Sequence, residues 1–316
     1  MELRKDYILN RYVIVAAGRG KRPYQFKREE VKSKKESKIN FFAPGNEKLT
    51  PPEIGRIGTK NKWKIRWFPN KFAAVAQEGD PIIRTDNNYF TFSSAYGYHE
   101  IIVETPDENK QLWDLNTNHI KDVLTVYKNR INELSKDEHI HYVSIFKNHG
   151  KDAGTSLIHS HSQVIAYNKI PSQIIEKLHA IDRYDHCPYC DILNIEKKSF
   201  RKCYENKNFI AFTPYASRFH YEIWVMPISH IKNMNEMDDD MLKDLADILK
   251  KILKKLKYLN APYNIELFYS PENEDLHFHI EISPRLAIWA GFELLTGDTI
   301  NSVSPEDAAK FYRGEK

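Results

Sequence analysis

The chain writes one pattern twice, and this repetition limits its fold more than any other feature. In the first copy, KWKIRWFPNKFAAVA and YHEIIVETP read as strands, the first with a turn at Pro69-Asn70. A helix follows over 110–135, with Leu112, Leu115, Ile120, Leu124, Tyr127 and Ile131 at helical spacing. HYVSIFKN is the next strand, and the copy closes on His159-x-His161. In the second copy FIAFTPYA and HYEIWVMPIS are strands, 237–259 is an amphipathic helix, YNIELFYS is a strand, and DLHFHIEISPR ends on His277-x-His279. Without gaps, His99–Val103 falls on Tyr221–Val225, so Glu100 meets Glu222 and Glu108 meets His230. Likewise Asn40-Phe-Phe-Ala43 falls on Cys187-Pro-Tyr-Cys190. Three loci in one order point to duplication. The expected fold is α+β, with two tandem halves at 1–175 and 176–316, each an antiparallel sheet with packed helices.

Composition narrows the function. At 316 residues, with 41% hydrophobic and 28% charged residues, the chain suits a soluble protein of two domains or one large one. A formal charge of +4 does not demand nucleic acid and suits a small anionic substrate. No apolar run approaches the ~20 residues that cross a bilayer, and the N-terminus carries charges where a signal peptide has its apolar centre. A cytoplasmic location, with no membrane or nucleic-acid partner, is expected. The stretch 27–38, KREEVKSKKESK, has almost nothing to bury and reads as a solvated loop.

Three cysteines make no disulfide framework, and Cys187 and Cys190 have metal-ligand spacing. With His230 and His277 they form a tetrahedral Zn²⁺ set, although sequence leaves the fourth ligand open between His277 and His279. The first copy has Asn40, Ala43 and Glu108 at the matching positions and keeps only His159. One structural zinc, in the second half, is expected.

The stretch 148–163, NHGKDAGTSLIHSHSQ, carries the chemistry. If its end is a strand, His159, His161 and Gln163 share one face. Gly154, with Thr155 and Ser156 beside it, forms a turn that lets backbone amides approach a phosphate.

This stretch closely resembles the active-site segment of the galactose-1-phosphate uridylyltransferase branch of the histidine-triad superfamily. NFFAPGNEKLTPPE and VETPDENKQLW resemble that family's CPFCPGNExLTPPE and VETPDHxKxLW, with the metal ligands replaced. The resemblance implies two histidine-triad-like halves and nucleotidyl transfer from a nucleotide sugar to a sugar 1-phosphate. His161 is the implied nucleophile, Gln163 replaces the third His of the hydrolase branches, and His159 shapes the site. Asn148 and Ser156 match phosphate-contacting positions, Arg19 and Arg22 a basic pair, and Asn70 and Phe72 the segment bordering the nucleotide. The C-terminal AGFELLTGDTINSVSPEDAAKFYR resembles a region that recognises the hexose phosphate partly across a homodimer. The favoured reaction is UDP-glucose with galactose 1-phosphate. Phosphorolysis of ADP-glucose on the same scaffold is the first competitor, and a non-catalytic nucleotide-binding regulator the second.

Overall fold

The computed structural model describes residues 1–18 and 39–315, so Arg19, Arg22 and the charged stretch 27–38 lie outside the described residues. The strands are β1 (Glu2–Lys5), β2 (Tyr12–Val15), β3 (Gly55–Thr59), β4 (Lys62–Pro69), β5 (Arg84–Asp86), β6 (Phe90–Phe92), β7 (Gly97–Val103), β8 (Tyr142–His149) and β9 (His161–Tyr167). They continue with β10 (Lys202–Glu205), β11 (Phe209–Phe212), β12 (Ile223–Pro227), β13 (Tyr263–Phe268), β14 (His279–Pro284) and β15 (Thr299–Asn301). The helices are α1 (Thr117–Leu134), α2 (Ser172–Ile181), α3 (Pro188–Glu196), α4 (Asp239–Tyr258), α5 (Gly291–Thr296) and α6 (Pro305–Arg313).

Among the described residues, ten strands form one sheet in the order β10-β11-β12-β14-β13-β8-β9-β7-β4-β3, and every pairing in it is antiparallel. The order reads the same from both ends if β3, β4, β7, β9 and β8 are exchanged for β10, β11, β12, β14 and β13. The two sets meet where β8 pairs with β13, with Asn148 opposite Asn264. The α+β reading with two antiparallel halves is therefore the observed fold. Separately, β1, β2 and β15 form a small sheet in which β15 runs parallel to β2.

The two long helices pack on each other and on the sheet. Each begins where a side chain caps it. Asn116 accepts from the His119 N–H (2.9 Å), and Asp238 accepts from the Met241 N–H (2.8 Å). Asp239 and Asp240 in the first turn of α4, and Lys255 and Lys257 in its last, complement the helix dipole. Leu242, Leu245, Leu249, Ile252 and Leu256 are buried beneath it. Arg130 of α1 and Glu100 of β7 make two buried 2.8 Å bonds that tie helix to sheet.

Two boundaries differ from the sequence reading. The first long helix starts at Thr117 rather than 110, because Asn116 caps it and residues 112–114 form a separate 3₁₀ turn. The stretch 62–76, expected to be strand-like with a turn at Pro69-Asn70, stops as a strand at that turn, and 71–76 does not resume it beyond the single bridge of Ala76 to Tyr96. At the turn the Asn70 N–H bonds to the His99 carbonyl (2.7 Å), and the Asn70 side chain accepts from the Phe72 N–H (3.0 Å), so the chain turns over the sheet.

Gly150, just after β8, has φ +83°, and a Cβ there would lie 2.8 Å from Pro262, just before β13. Both constraints bear on the seam between the halves. Gly150→Ala is expected to destabilise the protein by about 1–2 kcal/mol or more, read as a lowered urea midpoint with unchanged slope. An unchanged midpoint would show that the seam tolerates the side chain.

Candidate active site

β9 lies between β7 and β8, so its side chains reach both faces of the sheet away from either edge. One face meets the helices. There Ser160 and Ser162 each donate to Glu104 (2.5 Å), and Lys147 donates to Glu104 (2.7 Å), to Ser160 (3.1 Å) and to the His161 carbonyl (3.1 Å). Burial works against the Glu104 charge, but Lys147 and the two hydroxyls hold its pKa below the ordinary value. This pair pins the strand from behind.

The other face carries His161 and Gln163. β9 begins at His161, so His159 precedes the strand instead of lying in it, yet the Phe42 ring meets both imidazoles edge-on. His161 Nδ1 lies 2.8 Å from the His159 carbonyl. A carbonyl only accepts, so Nδ1 carries the proton and Nε2 the lone pair. Burial lowers the His161 pKa to about 4. The ring is therefore neutral at pH 7, with Nε2 available as a nucleophile.

His161 and Gln163 open on a cavity of about 610 Å³. Asn70, Phe72 and Ser156, each singled out from sequence, line it too. Asn148, Gly154 and Thr155 form the adjoining turn instead. Asn148 accepts from Asn264 (2.8 Å), Thr155 donates to the Asn148 carbonyl, and Gly154 adopts φ +88°. His99 of β7 is an addition that the sequence did not flag. The Ala74 N–H donates to its Nδ1 (3.1 Å), so its Nε2–H donates to Gln163 Oε1 (2.9 Å). The Gln163 amide is thereby left with its NH₂ as a donor.

The second half holds a metal-ligand group. One ligand atom each from Cys187, Cys190, His230 and His277 lies within 4.8 Å of all the others. Cys190 Sγ is 3.5 Å from His230 Nδ1 and 3.6 Å from His277 Nδ1. These are about the ligand–ligand spacings of a tetrahedral ion with bonds of ~2.0–2.3 Å. The Pro227 carbonyl accepts from His277 Nε2 (3.1 Å) and Asp275 lies 2.7 Å from His230 Nε2, so both Nδ1 lone pairs face the centre. Burial and the neighbouring Cys187 push the Cys190 thiol up to about 12, so a bound cation would have to draw off its proton. His279 is not in the group, because its Nδ1 points to the His277 carbonyl (2.9 Å).

That last contact copies the His161–His159 contact, but here the ring is fully buried. Lys177 Nζ sits 3.1 Å from His279 Nε2 and 2.8 Å from Glu281, which occupies the position of Gln163. Phe268 stacks on His279 at 5.0 Å. The second half thus keeps the histidine geometry and fills its cavity.

Comparison with known proteins agrees with this arrangement. The family model described as galactose-1-phosphate uridyl transferase, N-terminal domain, matches residues 1–171. The chain belongs to the galactose-1-phosphate uridylyltransferase family. As a member it is a nucleotidyltransferase. A domain of unknown function, DUF4921, also matches residues 103–311. The chain is 33% identical to an ADP-glucose phosphorylase of Arabidopsis thaliana, over 99% of this chain and 92% of that protein. It is 29% identical to a galactose-1-phosphate uridylyltransferase of Thermotoga maritima, over 99% and 98%. A crystal structure of the Arabidopsis ADP-glucose phosphorylase with bound ADP-glucose superposes with a TM-score of 0.85 at 32% identity, covering 100% of this chain and 98% of that one.

Protein of this uridylyltransferase-family chain purified without added metal is expected to hold about one metal equivalent, four-coordinate and closed. Cys190→Ser should lose the metal and lower the melting temperature. Two equivalents or none, by elemental analysis, would refute the assignment.

Proposed function

We propose that the protein transfers a nucleotidyl group from a nucleotide sugar to a phosphate acceptor through a covalent adduct on His161. The observation that carries this is the neutral, buried His161, with Nδ1–H tied to a carbonyl and Nε2 facing the cavity. The Nε2 lone pair attacks the α-phosphorus of the donor. The bond from phosphorus to the leaving phosphate oxygen breaks, and sugar 1-phosphate departs with that electron pair. The acceptor's phosphate oxygen then attacks the same phosphorus, and the N–P electrons return to Nε2. No proton has to leave His161 in either step, and the His159 carbonyl steadies the cationic imidazole of the adduct. Gln163, oriented by His99, donates its amide hydrogens to the oxygens that gain charge during displacement. Asn148 and Ser156 receive phosphate oxygens beside the turn at Gly154 and Thr155, whose own N–H groups and Thr155 hydroxyl are bonded to carbonyls of the turn. Asn70 and Phe72 border the base, and the family resemblance assigns positive charge to Arg19 and Arg22, which lie outside the described residues.

The favoured reaction is UDP-glucose with galactose 1-phosphate, supported by the family description and by the Thermotoga relative. Phosphorolysis of ADP-glucose is the second reading, supported by the 33% identity to the Arabidopsis phosphorylase. We assign Zn²⁺ to the four-ligand group as a structural ion, because two thiolates and two imidazoles suit it and leave no open position. The halves 1–175 and 176–316 divide the work, the first catalytic and the second metal-bound. A homodimer fits the exposed apolar side chains of Leu294 and Leu295, in the region that resembles the family's hexose-phosphate segment, and of Ile288 just before it. A cytoplasmic site is consistent with the unpaired cysteines, and among the described residues no helix is long and apolar enough to cross a membrane.

A donor and acceptor panel tests the reaction: UDP-glucose and ADP-glucose, each with phosphate and with galactose 1-phosphate. Turnover of UDP-glucose only with galactose 1-phosphate supports the favoured reaction, and turnover of ADP-glucose only with phosphate selects the second. No turnover of any pair leaves the binding-protein reading. His161→Ala should abolish turnover. Gln163→Ala should slow it by about 2–4 kcal/mol of transition-state stabilisation.

The pH profile is a separate test. The reactive form of His161 is neutral and its pKa is lowered to about 4. Turnover limited by this group should stay level from pH 8 to about pH 5 and fall only on approach to pH 4. A fall centred near the ordinary value of about 6.5 would contradict a desolvated nucleophile.

A further inference from the structure

The first half keeps the frame of the metal site while its ligands have changed. His159 Nε2 meets the Thr105 carbonyl (2.6 Å) as His277 Nε2 meets that of Pro227 (3.1 Å), and the gap-free alignment sets Thr105 on Pro227. The Ala43 N–H bonds to the Asn40 carbonyl (3.3 Å) as the Cys190 N–H bonds to that of Cys187 (3.1 Å). Both histidines therefore present Nδ1, as acceptor, to a matching turn. In the second half the ligand group lies there. In the first, Asn40 Nδ2 lies 3.1 Å from His159 Nδ1 and 2.7 Å from Glu108 Oε2, with Glu108 at the position of His230. Asn40 Oδ1 accepts from the Phe42 N–H (3.1 Å). Asn40 Oδ1 also lies 3.3 Å from His159 Nδ1, but the bonds to Glu108 and Phe42 fix which amide atom is nitrogen, and an accepting Nδ1 takes its N–H.

We infer that the Asn40 carboxamide, anchored by Glu108, replaces the metal as the clamp on His159, making Asn40 and Glu108 positioning residues for the nucleophile. The chain of contacts runs from Glu108 to Asn40, to the His159 ring, and through the His159 carbonyl to His161 Nδ1–H. A ring held at both nitrogens holds its own carbonyl, and that carbonyl sets the His161 tautomer. Its catalytic consequence rests on His161 being the nucleophile, but the clamp itself is testable without substrate.

Two measurements decide it. The triple variant Asn40→Cys, Ala43→Cys, Glu108→His should gain one zinc equivalent over wild type by elemental analysis. No gain would overturn the correspondence between the two sites. Imidazole ¹⁵N spectra of wild type should show His161 protonated at Nδ1, and Asn40→Ala should reduce that population. Glu108→Gln, which still accepts from Asn40, should preserve it, and Glu108→Ala should not. With the substrate pair found active, Asn40→Ala and Glu108→Ala should lose roughly tenfold or more in turnover, as outer positioning partners do, while Glu108→Gln stays near wild type. An unchanged His161 spectrum in Asn40→Ala overturns the clamp, whatever the substrate proves to be. Should that variant fail to fold, the contrast between Glu108→Ala and Glu108→Gln in the His161 spectrum still decides the clamp, and equal spectra in the two would overturn it.

Discussion

A single hydrogen bond, from His161 Nδ1 to the carbonyl of His159, is the interaction on which the proposed chemistry depends. It spans two residues, so it costs little loop entropy, and its acceptor is a main-chain carbonyl. It fixes the tautomer, which leaves the lone pair on Nε2. Burial then lowers the basicity of the ring and keeps it unprotonated at neutral pH. The same contact recurs between His279 and the His277 carbonyl. It is therefore a property of the H-x-H strand in this fold, present whether or not a half has an open cavity.

Comparing the halves separates what the fold supplies from what each sequence adds. Both have an H-x-H segment leading into a strand near the middle of an antiparallel set, and both have a long helix behind. Behind the first, Lys147 and Glu104 form a buried pair whose hydrogen bonds include both flanking serines. In front of the second, Lys177 and Glu281 occupy the space that Gln163 and the cavity have in the first. Burial opposes the Lys177 charge, and Glu281 more than restores it, so the ammonium stays charged against His279. One half thus keeps an imidazole that faces an open cavity, while the other has turned the same place into core.

Much of this was legible because duplication supplies its own alignment. Two copies of strand, strand, helix, strand and H-x-H predict paired antiparallel sets, and the ten-stranded sheet has them. The C-x-x-C pair and two distant histidines could be read as one group because few buried arrangements use those residues together. The fourth ligand could not be read, since His277 and His279 are of the same type, two residues apart. Only the direction of each Nδ1 separates them. His99, Lys147 and Glu104 were passed over because each sits in a stretch otherwise read for its apolar residues. A charged or imidazole side chain inside such a run was the available signal. The short strands β5, β6 and β15 have too few residues for a period to show, and β15 depends on β2 at the other end of the chain.

The most direct test of His161 as nucleophile is to trap its adduct. Wild-type protein is mixed with the nucleotide sugar that proves active, without acceptor, then digested at alkaline pH and sequenced by mass spectrometry. The account predicts one nucleotidyl group per chain, on the peptide that contains both His159 and His161, with fragment ions placing it on His161. One sugar 1-phosphate should be released for each group bound. A nucleotidyl group on His159 or on any other residue, or turnover with no adduct at all, would contradict it.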